Sequence, residues 1–162
     1  MRPLFLLNMI LMVTLAAPLC EARESVKVAH GYKTVASDSR VVARARQLIG
    51  VPYRSGGSSV TGGFDCSGLL VYLFRTQAGT KLPRTTEEMI RAGGTRVGRD
   101  ELKPGDAVFF NHNGRGRTSH VGLYIGNDQF IHAPSSGERI RQDSLDNSYW
   151  ERSYTTARRF RG

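Results

Sequence analysis

Leu69 to Phe74 is an unbroken apolar run, Leu-Leu-Val-Tyr-Leu-Phe, and it follows a stretch too rich in glycine to be a helix or a central strand. A segment that is apolar on every side must be buried on every side. The run therefore predicts a central helix around which the rest of the chain is wrapped. The glycine-rich stretch, Tyr53-Arg54-Ser55-Gly56-Gly57 to Thr61-Gly62-Gly63-Phe64, ends in Asp65-Cys66-Ser67-Gly68, the entry to that helix. Whatever the domain does, the point where loop becomes buried helix is fixed at Cys66.

Upstream, Val41, Val42, Ala45, Leu48 and Ile49 follow helical spacing, with Asp38 or Ser39 as the cap and Gly50 and Pro52 as the stop. Downstream, Thr85 and Glu88 stand at capping-box spacing ahead of Met89 and Ile90 and mark a third, short helix. The pattern then changes. Lys103-Pro104-Gly105-Asp106 is a turn, and Ala107 to Phe110 is a strand. Residues 111–118 form a polar loop. Val121, Leu123 and Ile125 alternate with His120, Gly122 and Tyr124, a strand with two distinct faces. Gly126 to Gln129 turns the chain, Phe130 to Ala133 returns, and the aromatic and basic stretch from Tyr149 to Phe160 supplies a last strand. Helices first and an antiparallel sheet afterwards make an α+β domain. At 162 residues there is room for one such domain.

The N-terminus has a different character. Met1 and Arg2 precede a mostly apolar run, Leu4 to Leu19, broken by Asn8, Thr14 and Pro18 and shorter than a membrane-spanning helix needs. Residues 1–22 are expected to be a signal peptide cut after Ala22, with 23–38 as a polar tether and 39–162 as the domain. The rival is lipidation of Cys20, which the bulky Leu19 before it disfavours; lipidation would bring membrane association. Removal of the leader takes away one of the two cysteines and leaves Cys66 alone. Exported proteins use cysteines mostly in pairs, so a lone thiol is either a small buried hydrophobe or a reactive group. The formal charge of +9 draws the chain toward polyanions. Its bases are scattered, no nucleic-acid motif is present, and export leaves an anionic wall polymer or membrane surface as the partner.

Cys66 lies in the first turn of the central helix, where unpaired N–H groups and the positive end of the dipole predict a lowered thiol pKa. Gly62 and Gly63 before it and Gly68 after it would let backbone approach a substrate closely. A cysteine nucleophile needs a base, and His120 and His132 lie on the two strands of one hairpin. Their parity sets a condition. A strict two-residue turn at Asn127-Asp128 would pair Leu123 with His132 and send the histidines to opposite faces, so a bulge or a three-residue turn is required for them to meet. Zinc is the competing use of Cys66, His120 and His132. No local CxxC or HxxxH pair exists, and the remaining histidines, His30 and His112, fall in the tether and the polar loop.

At these residues the chain resembles the NlpC-type cell-wall peptidases, a papain-like family of cysteine peptidases. The segments GVPYRSGG, GFDCSGLLVYLF, LPRTTEEM, LKPGDAVFF, SHVGLYIGNDQFIHA and ARRF carry the resemblance, in that order, over about residues 40–160. It implies a papain-like fold with N-terminal helices packed on a C-terminal antiparallel sheet. It implies a triad of Cys66, His120 and His132, with His132 orienting His120. The Cys66 N–H and the Tyr53 phenol would stabilise the oxyanion, and Asp65 and Ser67 would position substrate. The implied substrate is a murein (peptidoglycan) stem peptide, hydrolysed through a thioester by a monomer in the periplasm or cell envelope. No cofactor is implied. A single bare domain points to the D-alanyl–diaminopimelate cross-link, with the γ-D-glutamyl–diaminopimelate bond as the alternative. A non-catalytic murein-binding protein is the rival from another class.

Overall fold

A computed structural model describes residues 38–111 and 118–160 of the chain. The expected leader, the tether up to residue 37, Cys20, His30 and His112 lie outside the described residues. No helix among those described is long and apolar enough to cross a membrane.

The first helix, α1, runs over 38–47, so Asp38 and Ser39 are already helical and do not cap it. Val41, Ala45 and Leu48 are buried, but Ile49, past the end of the helix, is 45% exposed and stays out of the core. The glycine-rich stretch forms a two-stranded hairpin, β1 (Ser58–Ser59) with β2 (Gly63–Phe64), apart from the main sheet. Helix α2 (Cys66–Leu73) follows at once and continues into a wider π turn, Phe74–Ala78, closed by Gly79 with φ 68°. Leu69, Leu70, Leu73 and Phe74 are all at most 1% exposed, but Val71 and Tyr72 are only partly buried, so the helix is not enclosed on every side as its apolar run predicts. Each buried side chain contributes about 1.5–3 kcal/mol by leaving water. Helix α3 (Thr86–Arg91) begins at the expected capping box: Thr85 accepts from the Glu88 N–H and Glu88 reaches back to the Thr85 N–H.

The sheet holds β3 (Thr95–Val97), β4 (Ala107–Phe110), β5 (His120–Gly126), β6 (Gln129–His132), β7 (Arg141–Ser144) and β8 (Tyr154–Arg159) in the order β3-β8-β4-β5-β6-β7, antiparallel throughout. Helix α4 (Ser148–Ser153), capped by Asn147, takes the first part of the stretch read as strand, and only Tyr154–Arg159 is extended. The polar β7 and the short β3 carry no apolar alternation, which is why the sequence does not announce them. β5 is buried along almost its full length. Its odd residues Val121, Leu123 and Ile125 join the core under α1 and α2, while Tyr124 joins a second core with Phe110, Phe130 and Trp150. Both faces of this strand are therefore covered, and the two faces that alternation distinguishes belong to two different cores.

The hairpin β5–β6 meets the parity condition. Asn127 and Asp128, with φ of 51° and 54°, form a two-residue turn of the primed kind, and the register slips between Tyr124 and Gly126. That bulge places Leu123 opposite Ile131 instead of His132. It is the single extra residue that brings His132 onto the side of the sheet occupied by His120.

Candidate active site

Asp65 opens α2 as its N-cap, with its side chain accepting from the Gly68 N–H at 2.7 Å. The same carboxylate accepts from the Gly56 N–H at 2.9 Å and from the Arg84 guanidinium at 2.6 and 3.0 Å. Arg84 also donates to the Ser67 hydroxyl at 2.8 Å. These bonds tie the glycine loop, the tip of α2 and the segment ahead of α3 into one rim. Arg84 gave no signal in the sequence beyond its place in LPRTTEEM. A Cβ on Gly68 would sit 2.0 Å from the Gly57 carbonyl oxygen, and one on Gly63 would sit 2.8 Å from the Pro52 carbonyl oxygen. The close approach these glycines allow is thus between the protein's own segments.

Cys66 stands on this rim and lines a cleft of about 680 Å³ together with Tyr53, Asp65, Ser67, Arg84 and Thr86 among others. Among the described residues it is the one free cysteine. Its Sγ lies 3.9 Å from the Thr86 hydroxyl. The expected lowering of its pKa is not found. Burial pushes the thiol up, and the Asp65 carboxylate adds to this; hydrogen bonds from Thr86 and from the Val121 and Ser67 N–H groups oppose the rise without cancelling it. The physical reason is desolvation: burial of the sulfur outweighs what the end of a helix offers a thiolate.

Tyr53 is held beside the loop by its backbone N–H, which donates to the Glu138 carbonyl, and by a bridge to Phe64. Burial raises its phenol, and negative charge at Cys66 or Asp65 raises it further, so it keeps its proton at neutral pH and can donate.

His120 follows Ser119, which lines the cleft, and both histidines are buried. His120 is 3% exposed and His132 is fully buried. His120 Nε2 and His132 Nδ1 are 2.8 Å apart, and His132 Nε2 is 2.9 Å from Asp143 Oδ2. Burial lowers the His132 pKa, against the pull of the Asp143 carboxylate. Burial would raise Asp143, but the hydrogen bond and charge of His132, and those of Arg141, hold it below the usual carboxylate range. The Trp150 indole N–H donates to the same Asp143 oxygen at 3.1 Å, and its ring stacks on His120 at 5.6 Å and 27°. Asp143 and Trp150 are absent from the sequence reading. Asp143 stands in a polar strand with no motif, and only the β6–β7 register, which sets it opposite Phe130, brings it to His132.

Asp65 and Ser67 line the cleft as expected, although the Asp65 oxygens are heavily used within the protein. Among the described residues no group of three or more His, Cys, Asp or Glu side chains is arranged to hold a metal ion.

The family model for the NlpC/P60 family matches residues 50–159. Murein DD-endopeptidase MepH of Escherichia coli (strain K12) is 44% identical over 132 residues, 81% of this chain and 49% of that protein. Gamma-DL-glutamyl hydrolase of Bacillus subtilis (strain 168) is 42% identical over 124 residues, 76% of this chain and 30% of that one. The chain therefore spans about half the length of the first relative and less of the second. Among solved structures, the NlpC/p60 domain of the peptidoglycan hydrolase SagA matches with a TM-score of 0.65 at 31% identity, covering 76% of this chain and 98% of that one. With helices and a six-stranded antiparallel sheet in this arrangement, and a family match over most of its length, the chain belongs to the NlpC/P60 family and has its papain-like α+β fold.

Proposed function

We propose that this chain is an exported murein endopeptidase, working as a monomer in the periplasm or cell envelope, with Cys66 as nucleophile, His120 as base and His132 as the residue that orients His120. The observation that carries the reading is a lone cysteine lining an open cleft, on a helix packed against β5, whose His120 is hydrogen-bonded to the buried His132 of β6. His120 takes the Cys66 thiol proton as sulfur attacks the scissile carbonyl. The resulting oxyanion accepts from the Cys66 N–H and the Tyr53 phenol. The tetrahedral adduct collapses, His120 gives its proton to the departing amine, and a thioester remains. Water, deprotonated by His120, adds to the thioester and releases the carboxylate product and the thiol. Asp65 and Ser67, with Arg84 braced across them, form the wall against which the stem peptide is placed.

The raised thiol fits this order of events: Cys66 waits as a neutral thiol and loses its proton only when the base takes it. The favoured bond is the D-alanyl–meso-diaminopimelate cross-link, supported by the 44% identity to a protein named a murein DD-endopeptidase. The 42% identity to a protein named a gamma-DL-glutamyl hydrolase supports the second reading, the γ-D-glutamyl–diaminopimelate bond. Incubation of purified murein with the wild-type chain and with Cys66→Ala tests both levels. Digestion by wild type alone, falling by about a thousandfold or more in the variant, is the expected result. No digestion by either would favour a murein-binding module. Mass analysis of the fragments names the bond: a free D-alanine terminus marks the cross-link, a free γ-D-glutamate terminus the other.

A further inference from the structure

We propose that Asp143 and Trp150 are positioning residues for the histidine pair, fixing which nitrogen of each ring carries the proton and so making Nδ1 the basic nitrogen of His120. The inference rests on the reading in which His120 serves the Cys66 thiol.

Asp143, Trp150 and Arg141 have fixed hydrogen-bonding roles. An ionised carboxylate only accepts hydrogen bonds, whereas an indole N–H and a guanidinium only donate. Asp143 Oδ2 meets the Trp150 indole N–H at 3.1 Å and Arg141 Nε at 3.1 Å, and these donors anchor it. The third group at that oxygen, His132 Nε2 at 2.9 Å, must then also be a donor and carry a proton. His132 is fully buried, and burial outweighs the pull of the Asp143 carboxylate to favour the neutral ring, in which the other nitrogen is bare. Nδ1 of His132 therefore accepts across the 2.8 Å contact, and Nε2 of His120 must donate. A neutral His120 has only that one proton. Its lone pair is left on Nδ1, the nitrogen that can receive the thiol proton.

Trp150 contributes twice. Besides donating to Asp143, its ring lies nearly parallel to His120 at 5.6 Å and 27°, and edge-on to His132 at 5.0 Å and 81°. One side chain thus holds both the carboxylate and the plane of the base. When His120 accepts the proton, the positive charge it gains is supported through His132 by Asp143. The other charges that act on His132 are Arg141, which opposes its protonation, and Glu138, which favours it; these two form an exposed ion pair with each other.

The test uses the full chain. Imidazole nitrogen NMR of wild type reads the tautomer without turnover, and both His120 and His132 should carry their proton on Nε2 in the neutral state. Steady-state kinetics on purified cross-linked murein fragments are then compared for wild type, Asp143→Asn, Asp143→Glu and Trp150→Phe across about pH 4–9. Asp143→Asn, which keeps the shape and removes the charge, should lower kcat by at least about tenfold while KM changes by less than about threefold. The limb of the pH profile set by the histidine pair should move to lower pH, because the protonated pair has lost its counter-charge. Asp143→Glu should recover part of kcat, and Trp150→Phe should lose only a few-fold, since it keeps the ring and drops the N–H. A proton on Nδ1 of His132 in wild type would overturn the proposal whatever the variants do. So would an Asn variant with wild-type kcat and an unmoved limb, or equal losses in the Asn and Glu variants that track a fall in Tm. Wild-type digestion by Cys66→Ala would instead sink the thiol chemistry itself, a failure told apart by the tautomer seen in the spectrum.

Discussion

The two halves of the candidate site are built on opposite plans. Around Cys66 the wall is polar and open: Asp65 and Arg84 form an ion pair at 2.6 Å, with the Arg84 side chain 41% exposed. Around His120 and His132 the wall is aromatic and closed, with Phe110, Phe130 and Trp150 against the two rings. A nucleophile must meet a substrate that arrives from water, so its surroundings tolerate solvent and use charge to hold the rim. A base must keep one tautomer, and that requires short hydrogen bonds away from water, where a misplaced proton costs most. The consequence is electrostatic. The open half, through burial of the sulfur and the nearby Asp65 carboxylate, raises the thiol pKa, and in the proposed reaction the closed half supplies the base.

The comparison breaks most sharply at His120. His120→Ala should lower murein digestion by about a thousandfold. Iodoacetamide alkylation of Cys66 at neutral pH should also slow by about tenfold, because the thiol left alone is a weaker acid than a free cysteine; an unchanged alkylation rate would mean that the sulfur does not depend on the histidine half. Next comes the seam that holds the thiol half together. Gly68→Ala would drive a Cβ into the Gly57 carbonyl, and chemical denaturation should show a loss of about 3 kcal/mol.

Acid should find the closed half. The His132 pKa is lowered in the fold by burial, so its contribution to stability is complete above the ordinary histidine range and is lost as pH falls below about 6.5. Asp143 is also held low, so its share persists further and is lost only as pH falls through the depressed carboxylate value. Tm measured against pH should therefore fall in two stages, and Asp143→Asn should flatten the second; a single acid transition unaffected by that variant would contradict the pairing. The smallest effect is expected at Asp65. Asp65→Asn keeps a good helix cap but removes the carboxylate that helps raise the thiol, so the pH midpoint of alkylation should move down by less than about one unit. The stability cost should be below about 2 kcal/mol, since the ion pair it breaks is partly exposed.

Legibility in the sequence follows the same divide. The tip of α2 was readable because two signals meet there: glycines and a run apolar on all sides. The capping box at Thr85 and Glu88 was readable for the same reason, each rule acting within four residues. The hairpin parity turned a spacing into a required bulge, and the slip between Tyr124 and Gly126 supplies it. Asp143 and Arg84 were not readable. A single charge in a polar strand looks like any solvated surface, and its partner is chosen by a pairing of strands that local pattern does not specify. The thiol pKa was misread for a related reason: helix position argues for lowering, but burial of the sulfur is a property of the packed molecule.

What the sequence determined by itself was where Cys66 stands and which elements surround it, since capping, turn chemistry and apolar periodicity act between near neighbours. What the tertiary structure decided was the state of that chemistry. The bulge that aligns the histidines, the Asp143 carboxylate that reaches them, and the desolvation that raises the Cys66 pKa all depend on segments far apart in the chain. Hydrogen bonds and burial add their energies only once those segments are packed together.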